Sequence, residues 1–237
     1  VSSISELLAS SNGSISINTI AGDNAINATE MGAGVTISGT NVAGATVALS
    51  IGGTSHDATS VTDTTWSYTL QGADYTAMGQ GGETITATST LTTGSGSSTA
   101  TTTATAMRSI AIDTVTPTLA ISSNVAAVKG GETATVTFTF SEAPVGFAAG
   151  DIVTTGGSLG NLAVTTDPKV YTATFTPTAG TASGNASITV AAGTYSDAAG
   201  NNGGAGTTPS ISIDTLAPTL AITSNVAAVK IGETATV

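Results

Sequence analysis

The phrase IDTVTPTLAI, which begins at Ile112, returns as IDTLAPTLAI at Ile213, 101 positions later. Between residues 112–136 and 213–237, 21 of 25 positions are identical. This period is too long for solenoid repeats of about 20–50 residues and is close to the size of a whole small domain. The repeat therefore predicts domains in tandem, and the chain is expected to end partway into a further copy.

Segments that alternate apolar and polar residues fill the repeated unit. In TATVTFTF, Val136, Phe138 and Phe140 share one face, and WSYTL places Trp66 and Leu70 together. A period of two is typical of half-buried antiparallel strands, and Gly-Gly pairs separate the segments as hairpin turns do. Many short strands in a unit of about 100 residues favour an immunoglobulin-like sandwich. The predicted fold class is all-β, with immunoglobulin-like β-sandwich domains in tandem.

The repeat also suggests where the domains begin and end. We interpret residues 1–16 as a linker or the tail of a preceding module, and residues 17–112 and 113–213 as two complete domains. Residues 214–237 are then the first two strands of a third repeat. A pair of strands without partners is marginally stable in water, so the missing strands are expected from the chain that follows or from a neighbouring molecule.

Composition excludes several classes of function. The chain has no Cys, so disulfides and thiolate chemistry are absent. Its net charge of −11, from 15 acidic against 4 basic residues, disfavours nucleic acids and anionic membrane surfaces. No apolar run approaches the roughly 20 residues of a membrane-spanning helix, so direct membrane insertion is not expected. The same acidic balance favours calcium, which prefers oxygen ligands.

Several longer phrases resemble a known family. AGDNAINATEMGAGVTISGTNVAGATVALSIGG followed by TWSYTL, and GETATVTFTFSEAPVGFAAGDI followed by YTATFTPTAG and YSDAAGNNG, resemble the tandem Ig-like repeats of large secreted bacterial surface adhesins. The resemblance implies a stalk, stiffened by calcium, that holds a binding domain away from the bacterial cell. The first domain departs from the pattern, because TLTTGSGSSTA stands where such repeats often carry an Asp-x-Ala-Gly-Asn loop.

In an Ig-like sandwich, the entering linker and the B–C and F–G loops share one pole. The linker here supplies Asp113, the B–C loop Glu142, and the F–G loop Asp197 and Asn201. Three carboxylates and an amide oxygen would then converge at one end of the second domain. Without a cation the carboxylates would repel each other, and with calcium they supply several of its oxygen ligands. The alternative interpretation of Asp197 and Asn201 is an ordinary turn.

Four more acidic residues are weaker calcium candidates. Asp74 and Glu30 belong to the opposite pole of the first domain, and Asp214 repeats Asp113 at the next junction. Asp23 and Glu30 have an alternative interpretation as a capped turn that leads into a strand.

Two other sequence features have structural interpretations. Pro117 and Pro218 follow the repeated Asp and predict a stiff, extended entry into the next strand. His56, the only histidine, is interpreted as a solvated loop residue, because no nucleophile elbow supports a catalytic role and one His without Cys does not make a zinc site. No catalytic residues are predicted.

The function predicted from the sequence is a non-catalytic, calcium-stiffened stalk segment of an extracellular adhesin on a bacterial cell surface, involved in attachment or biofilm formation. Its expected partners are adjacent repeats of the same chain. The alternative is a self-assembling subunit of an S-layer or filament, in which neighbouring copies exchange strands. A carbohydrate-binding module would need an exposed aromatic platform, and aromatic residues make up only 4% of the chain.

Overall fold

The computed structural model of the chain describes residues 14–95, 98–206 and 209–236, so most of the linker predicted at residues 1–16 lies outside the described residues. Two compact units are present. Of the described residues, the first unit comprises 14–95, 98–118, 142–147 and 192–204, and the second comprises 119–141, 148–191, 205–206 and 209–236. Two loops from the second sequence repeat, residues 142–147 and 192–204, therefore belong to the first unit.

The first unit is an antiparallel sandwich with two short helices. Its elements are β1 (Ala25–Ile26), α1 (Ala28–Ala33), β2 (Thr36–Thr40), β3 (Thr46–Ile51), β4 (Thr54–Asp57), β5 (Thr59–Thr62), β6 (Thr65–Thr69), α2 (Gly72–Met78), β7 (Gly81–Ser95) and β8 (Ser98–Ile112). One sheet has the order β1-β8-β7-β3-β4 and the other the order β2-β6-β5. The parallel pairing of β1 with β8 is the one departure from antiparallel order in these two sheets.

The second unit repeats this plan. Its elements are β9 (Leu119–Ser123), β10 (Ala127–Lys129), β11 (Ala134–Phe140), a 3-10 turn (Ala149–Asp151), β12 (Ile152–Thr155), β13 (Gly157–Leu159), β14 (Ala163–Val164), β15 (Val170–Pro177), β16 (Gly184–Val190) and β17 (Ile211–Asp214). One sheet has the order β10-β17-β16-β12 and the other β13-β15-β11-β9, with β14 also paired to β15. The predicted all-β, immunoglobulin-like fold class is confirmed.

The alternation seen in the sequence defines both cores. Val136, Phe138 and Phe140 are at most 3% exposed, and Trp66 and Leu70 are at most 4% exposed. The intervening threonines lie on the outer faces of the sheets. Burying a side chain of this size stabilises a fold by about 1.5–3 kcal/mol. The residues that the alternation predicts to be buried therefore provide most of the hydrophobic stabilisation.

Residues 90–95 and 98–100 of the unusual phrase TLTTGSGSSTA lie on the long strands β7 and β8. Strands β7 and β8 pair without interruption from Gly81 with Ile112 to Ser95 with Ser98. A continuous ladder therefore takes the place of the acidic loop that the second repeat carries between its last two strands.

The third repeat copy does not form the predicted strands in its described residues, 215–236. Leu220 and Ile222 are 83% and 69% exposed, whereas their counterparts Leu119 and Ile121 are 5% and 6% exposed. A strand pair gains stability by burying one face against a second sheet, and here these side chains remain open to solvent. None of the described helices is long and apolar enough to span a membrane.

Candidate functional site: an acidic cluster in the first unit

Three carboxylates meet at the point where three chain segments converge. Asp113 follows the last residue of β8, Glu142 comes two residues after β11, and Asp197 lies in the loop between β16 and β17. One carboxylate oxygen from each lies within 4.8 Å of the others. Asp197 is 2% exposed, and the other two residues are half-buried. The convergence predicted from the poles of the sandwich is present, and it lies within the first unit.

Backbone hydrogen bonds hold the contributing loops together. Val145 and Ser196 donate to each other's carbonyl oxygens over 2.7 and 3.0 Å, which joins the two loops. The Tyr195 hydroxyl, on a side chain that is 3% exposed, donates to the Pro117 carbonyl over 3.3 Å. Gly204 N–H donates to the same carbonyl over 3.0 Å. Pro117 thus fixes the segment that leads away from Asp113.

The electrostatics of this cluster disfavour three bare charges. Desolvation, followed by the negative charges of Asp197 and Asp113, raises the pKa of Glu142 above its ordinary value of 4.5. Calcium accepts 6–8 oxygens at about 2.3–2.6 Å, so ligand atoms on opposite sides of one ion are about 5 Å apart. The spacing and the all-oxygen chemistry of the three carboxylates therefore fit a calcium ion.

Asn201 lies beside the cluster, but its side-chain oxygen points away from the Asp197 carboxylate. Its Oδ1 accepts a hydrogen bond from Ala28 N–H over 2.8 Å, and its Nδ2 points towards the Asp197 carboxylate at 2.7 Å. An amide N–H₂ group is a donor and cannot ligate a cation. The expectation that Asn201 supplies a ligand oxygen does not fit this orientation.

The candidates Asp23 and Glu30 have local roles and do not join the cluster. Asp23 Oδ1 accepts from Ala25 N–H over 2.9 Å. Glu30 accepts from Asn27 N–H over 3.0 Å and completes a capping box at α1. Glu132 and Glu233 accept in the same way from the residue three positions earlier. The repetition of this contact favours the capped-turn interpretation of Glu30.

Sequence reasoning assigned no role to Asn27, although it caps α1 and contacts the acidic loop. Its Oδ1 accepts from Thr29 and Glu30 N–H, and its Nδ2 donates to the Ala199 carbonyl over 3.1 Å. The readable signal was the Asn-x-x-Glu spacing of a capping box. The contact with Ala199, 172 positions away in sequence, left no local signal.

Asp214, the repeat counterpart of Asp113, is exposed at the end of β17. It stands opposite Lys129 in the register of β10 and β17. Among the described residues, it does not belong to a cluster of potential metal ligands.

His56 and Asp74 form a second polar group within the first unit, so the interpretation of His56 as a solvated loop residue is wrong. His56 lies on β4, and its side chain is 22% exposed. His56 Nε2 is 3.1 Å from Asp74 Oδ1, an ion-pair distance without hydrogen-bond alignment. The Tyr68 hydroxyl is 2.9 Å from His56 Nδ1. Tyr68 on β6 and Asp74 on α2 contact His56, and both lie outside the phrase GGTSHDATS in sequence.

Asp74 is 1% exposed and serves the first turn of α2. Its Oδ2 accepts from the Tyr68 hydroxyl over 2.9 Å and from Gln71 N–H over 2.7 Å. Burial, then the hydrogen bond and charge of Asp74, raise the pKa of Tyr68 above its ordinary value of 10.0. With its oxygens facing these groups, Asp74 links three elements and is separate from the acidic cluster.

We expect Asp74→Ala to lower the unfolding free energy of the first unit by about 2–4 kcal/mol, because it leaves buried donors unsatisfied. The measurement is urea unfolding followed by the fluorescence of Trp66, the only Trp, which is buried in this unit. Asp57→Ala, at an exposed position next to His56, is the matched control and should change it by less than about 0.5 kcal/mol. Equal effects of the two substitutions would contradict the role given to Asp74.

Comparison with known proteins supports the fold. Residues 113–213 match the family described as Bacterial Ig-like domain. No curated protein sequence matches the chain. A solved structure of a 1.5-MDa bacterial ice-binding adhesin, described in connection with host cell surface retention, is 27% identical. The match covers 86% of this chain and 65% of that chain, with a TM-score of 0.53.

Two further structures show sequence similarity with lower TM-scores. A Ca²⁺-stabilized adhesin of an Antarctic bacterium, described as helping it to reach out and bind ice, is 25% identical over 87% of this chain and 50% of that chain, with a TM-score of 0.46. An immunoglobulin-like domain from the M. primoryensis ice-binding adhesin is 29% identical over 43% of this chain and 97% of that chain, with a TM-score of 0.34. The chain spans less than two thirds of the first two structures.

Proposed function

Since residues 113–213 match the Bacterial Ig-like domain family, we propose that the chain is a non-catalytic, calcium-stiffened extender segment of a bacterial cell-surface adhesin. The similarity to an adhesin structure over 86% of the chain supports the adhesin assignment. In this role the segment acts outside the cell and contributes to attachment as a spacer. Its acidic surface, with a net charge of −11, keeps neighbouring stalks soluble and apart.

The observation that carries the calcium proposal is the meeting of Asp113, Glu142 and Asp197 within 4.8 Å. Each carboxylate comes from a different segment, and two of those segments leave and re-enter strands of the second unit. A bound calcium ion would neutralise the mutual repulsion and supply bonds that join the three segments. Ordering and binding are then linked, because the site is complete only when all three segments are in place.

Stiffening follows from the connectivity of the chain. The loops at residues 142–147 and 192–204 are part of the first unit, yet at both ends each loop continues into the second unit. Fastening both loops and the Asp113 linker to one ion would limit how far the strands beyond them can swing. Extracellular calcium sites typically have dissociation constants of about 10⁻⁴–10⁻³ M, so millimolar calcium would fill at least about half of such sites.

Small-angle X-ray scattering with calcium and with chelator tests the stiffening. We expect a larger and better-defined maximum dimension, and a higher melting temperature, with calcium. Asp63→Asn, which removes one charge from an exposed turn, should keep this response, and Glu142→Gln should weaken it. A wild-type profile that is unchanged by calcium would contradict the proposal.

The second candidate function, strand exchange between copies of a structural subunit, is favoured by the exposure of Leu220 and Ile222 at 83% and 69%. Their counterparts in β9 are buried in the core of the second unit. If this candidate were correct, sedimentation velocity would show oligomers that grow with concentration. Replacement of both Leu220 and Ile222 by Thr would then abolish these oligomers.

A further inference from the structure

Asn201 lies beside the acidic cluster and makes hydrogen bonds through both ends of its side-chain amide. It is 2% exposed. Its backbone N–H donates to Asp197 Oδ1 over 2.8 Å, and its Nδ2 donates to Asp197 Oδ2 over 2.7 Å and to the Asp113 carbonyl over 2.8 Å. Its Oδ1 accepts from Ala28 N–H over 2.8 Å. One amide therefore touches two residues of the cluster and the first residue of α1.

We infer that Asn201 is a positioning residue for the cation site and not one of its ligands. The inference rests on the proposed calcium function. The two hydrogen bonds from Asn201 fix the orientation of the Asp197 carboxylate, and each oxygen keeps a second lone pair for a cation. The bond to the Asp113 carbonyl fixes the segment that carries the Asp113 carboxylate. Preorganised ligands lose less conformational freedom when the ion binds.

The Ala28 contact ties this arrangement to the first sandwich. Ala28 is the first residue of α1, and a first-turn N–H has no partner within its own helix. Asn201 Oδ1 satisfies that donor, so the amide cannot rotate by 180° without losing three hydrogen bonds at once. The side chain therefore holds one orientation, with its N–H₂ group towards the carboxylates and its oxygen towards α1.

Replacement by Asp separates a positioning role from a ligand role, because the two predict opposite changes in calcium affinity. If Asn201 were a ligand, Asn201→Asp would add a negative charge to the site and tighten calcium binding. If Asn201 is a positioning residue, the substitution removes both N–H donors of its side-chain amide. It also places a carboxylate oxygen, which only accepts, against Asp197 and the Asp113 carbonyl. Calcium binding then weakens, and we expect a loss of at least about tenfold.

Isothermal titration with calcium measures this difference. The matched control is Asn202→Asp, which adds the same charge to the neighbouring, exposed residue and should leave the affinity within about threefold of wild type. Affinity of Asn201→Asp equal to or tighter than wild type would overturn the inference. If wild type itself binds no calcium, the proposed function fails and the inference fails with it. This outcome is distinguishable from the previous one, in which wild type binds calcium and only the inference fails.

A second variant tests the link to α1 without touching the cluster. Ala28→Pro removes the N–H that Asn201 Oδ1 accepts, and proline is well tolerated at the first position of a helix. The preceding residue, Asn27, already has the extended backbone that proline requires, with φ −94° and ψ 176°. We expect native Trp66 fluorescence and calcium affinity weakened by about 2- to 10-fold. Unchanged affinity in Ala28→Pro would overturn the link between α1 and the site.

Discussion

Replacing Glu142 by Gln is expected to weaken calcium binding by at least about tenfold and to stabilise the calcium-free first unit. The affinity falls because the substitution removes one of three charges from the cluster, and ligand charge sets the affinity of calcium sites. The stability rises because the same charge repels Asp113 and Asp197 when no ion is present. Gln has nearly the same shape as Glu, so the packing of the loop is preserved. Titration calorimetry and thermal unfolding in chelator measure the two effects.

The pH dependence of the unfolding free energy tests the role of Glu142 independently, because the direction of the change is predicted. The folded-state pKa of Glu142 is raised above 4.5, so the folded protein holds this proton more tightly than the unfolded chain. Its contribution to stability is therefore complete below pH 4.5 and is lost as the pH rises through the raised value. In chelator, wild type should lose this increment with rising pH, and Glu142→Gln should not. Asp63→Asn, which removes an exposed charge, is the control and should behave like wild type. A loss in Glu142→Gln as large as that in wild type would contradict the repulsion.

Gly39→Ala is expected to lower the melting temperature of the first unit by at least about 10 °C. Gly39 lies in β2, and a Cβ there would overlap the Ser16 carbonyl oxygen and come within 2.6 Å of the Trp66 ring. Ser16 N–H also pairs with the carbonyl of Thr40, next to Gly39 in β2. The backbone would therefore have to separate where residues 16–18 pair with β2. Differential scanning calorimetry and Trp66 fluorescence report the change.

The control for this substitution is Gly32→Ala, which is expected to change the melting temperature in the opposite direction. Gly32 lies in α1, and a Cβ there would meet no atom within 4 Å apart from its chain neighbours and the backbone of its own helix. Ala is favoured over Gly inside a helix by about 0.5–1 kcal/mol, so Gly32→Ala should raise the melting temperature slightly. If Gly39→Ala left the melting temperature unchanged, the close packing of residues 16–18 against β2 would be wrong.

Strand positions could be predicted from the sequence because alternation reports burial directly. Phe138 and Trp66 were placed in the cores by a period of two, and both are buried. The meeting of Asp113, Glu142 and Asp197 was also predictable, because chain order determines which loops share a pole of an Ig-like sandwich.

The orientation and surroundings of single polar side chains could not be predicted in this way. Asn201 had the right position for a ligand, but a contact with Ala28, 173 positions away, decides which end of its amide faces the cluster. Similarly, Asp74 and His56 are 18 positions apart and come together only after a strand and a helix have packed. Such contacts depend on tertiary structure, and sequence spacing carries no signal for them.

The most direct test of the calcium site is a crystal structure of the chain grown in millimolar calcium, with anomalous diffraction to identify the ion. The proposal predicts a calcium peak bound by carboxylate oxygens of Asp113, Glu142 and Asp197 at about 2.3–2.6 Å, with Asn201 Oδ1 still directed at Ala28 N–H. A map without an ion between these carboxylates, or with the ion held elsewhere in the first unit, would contradict it.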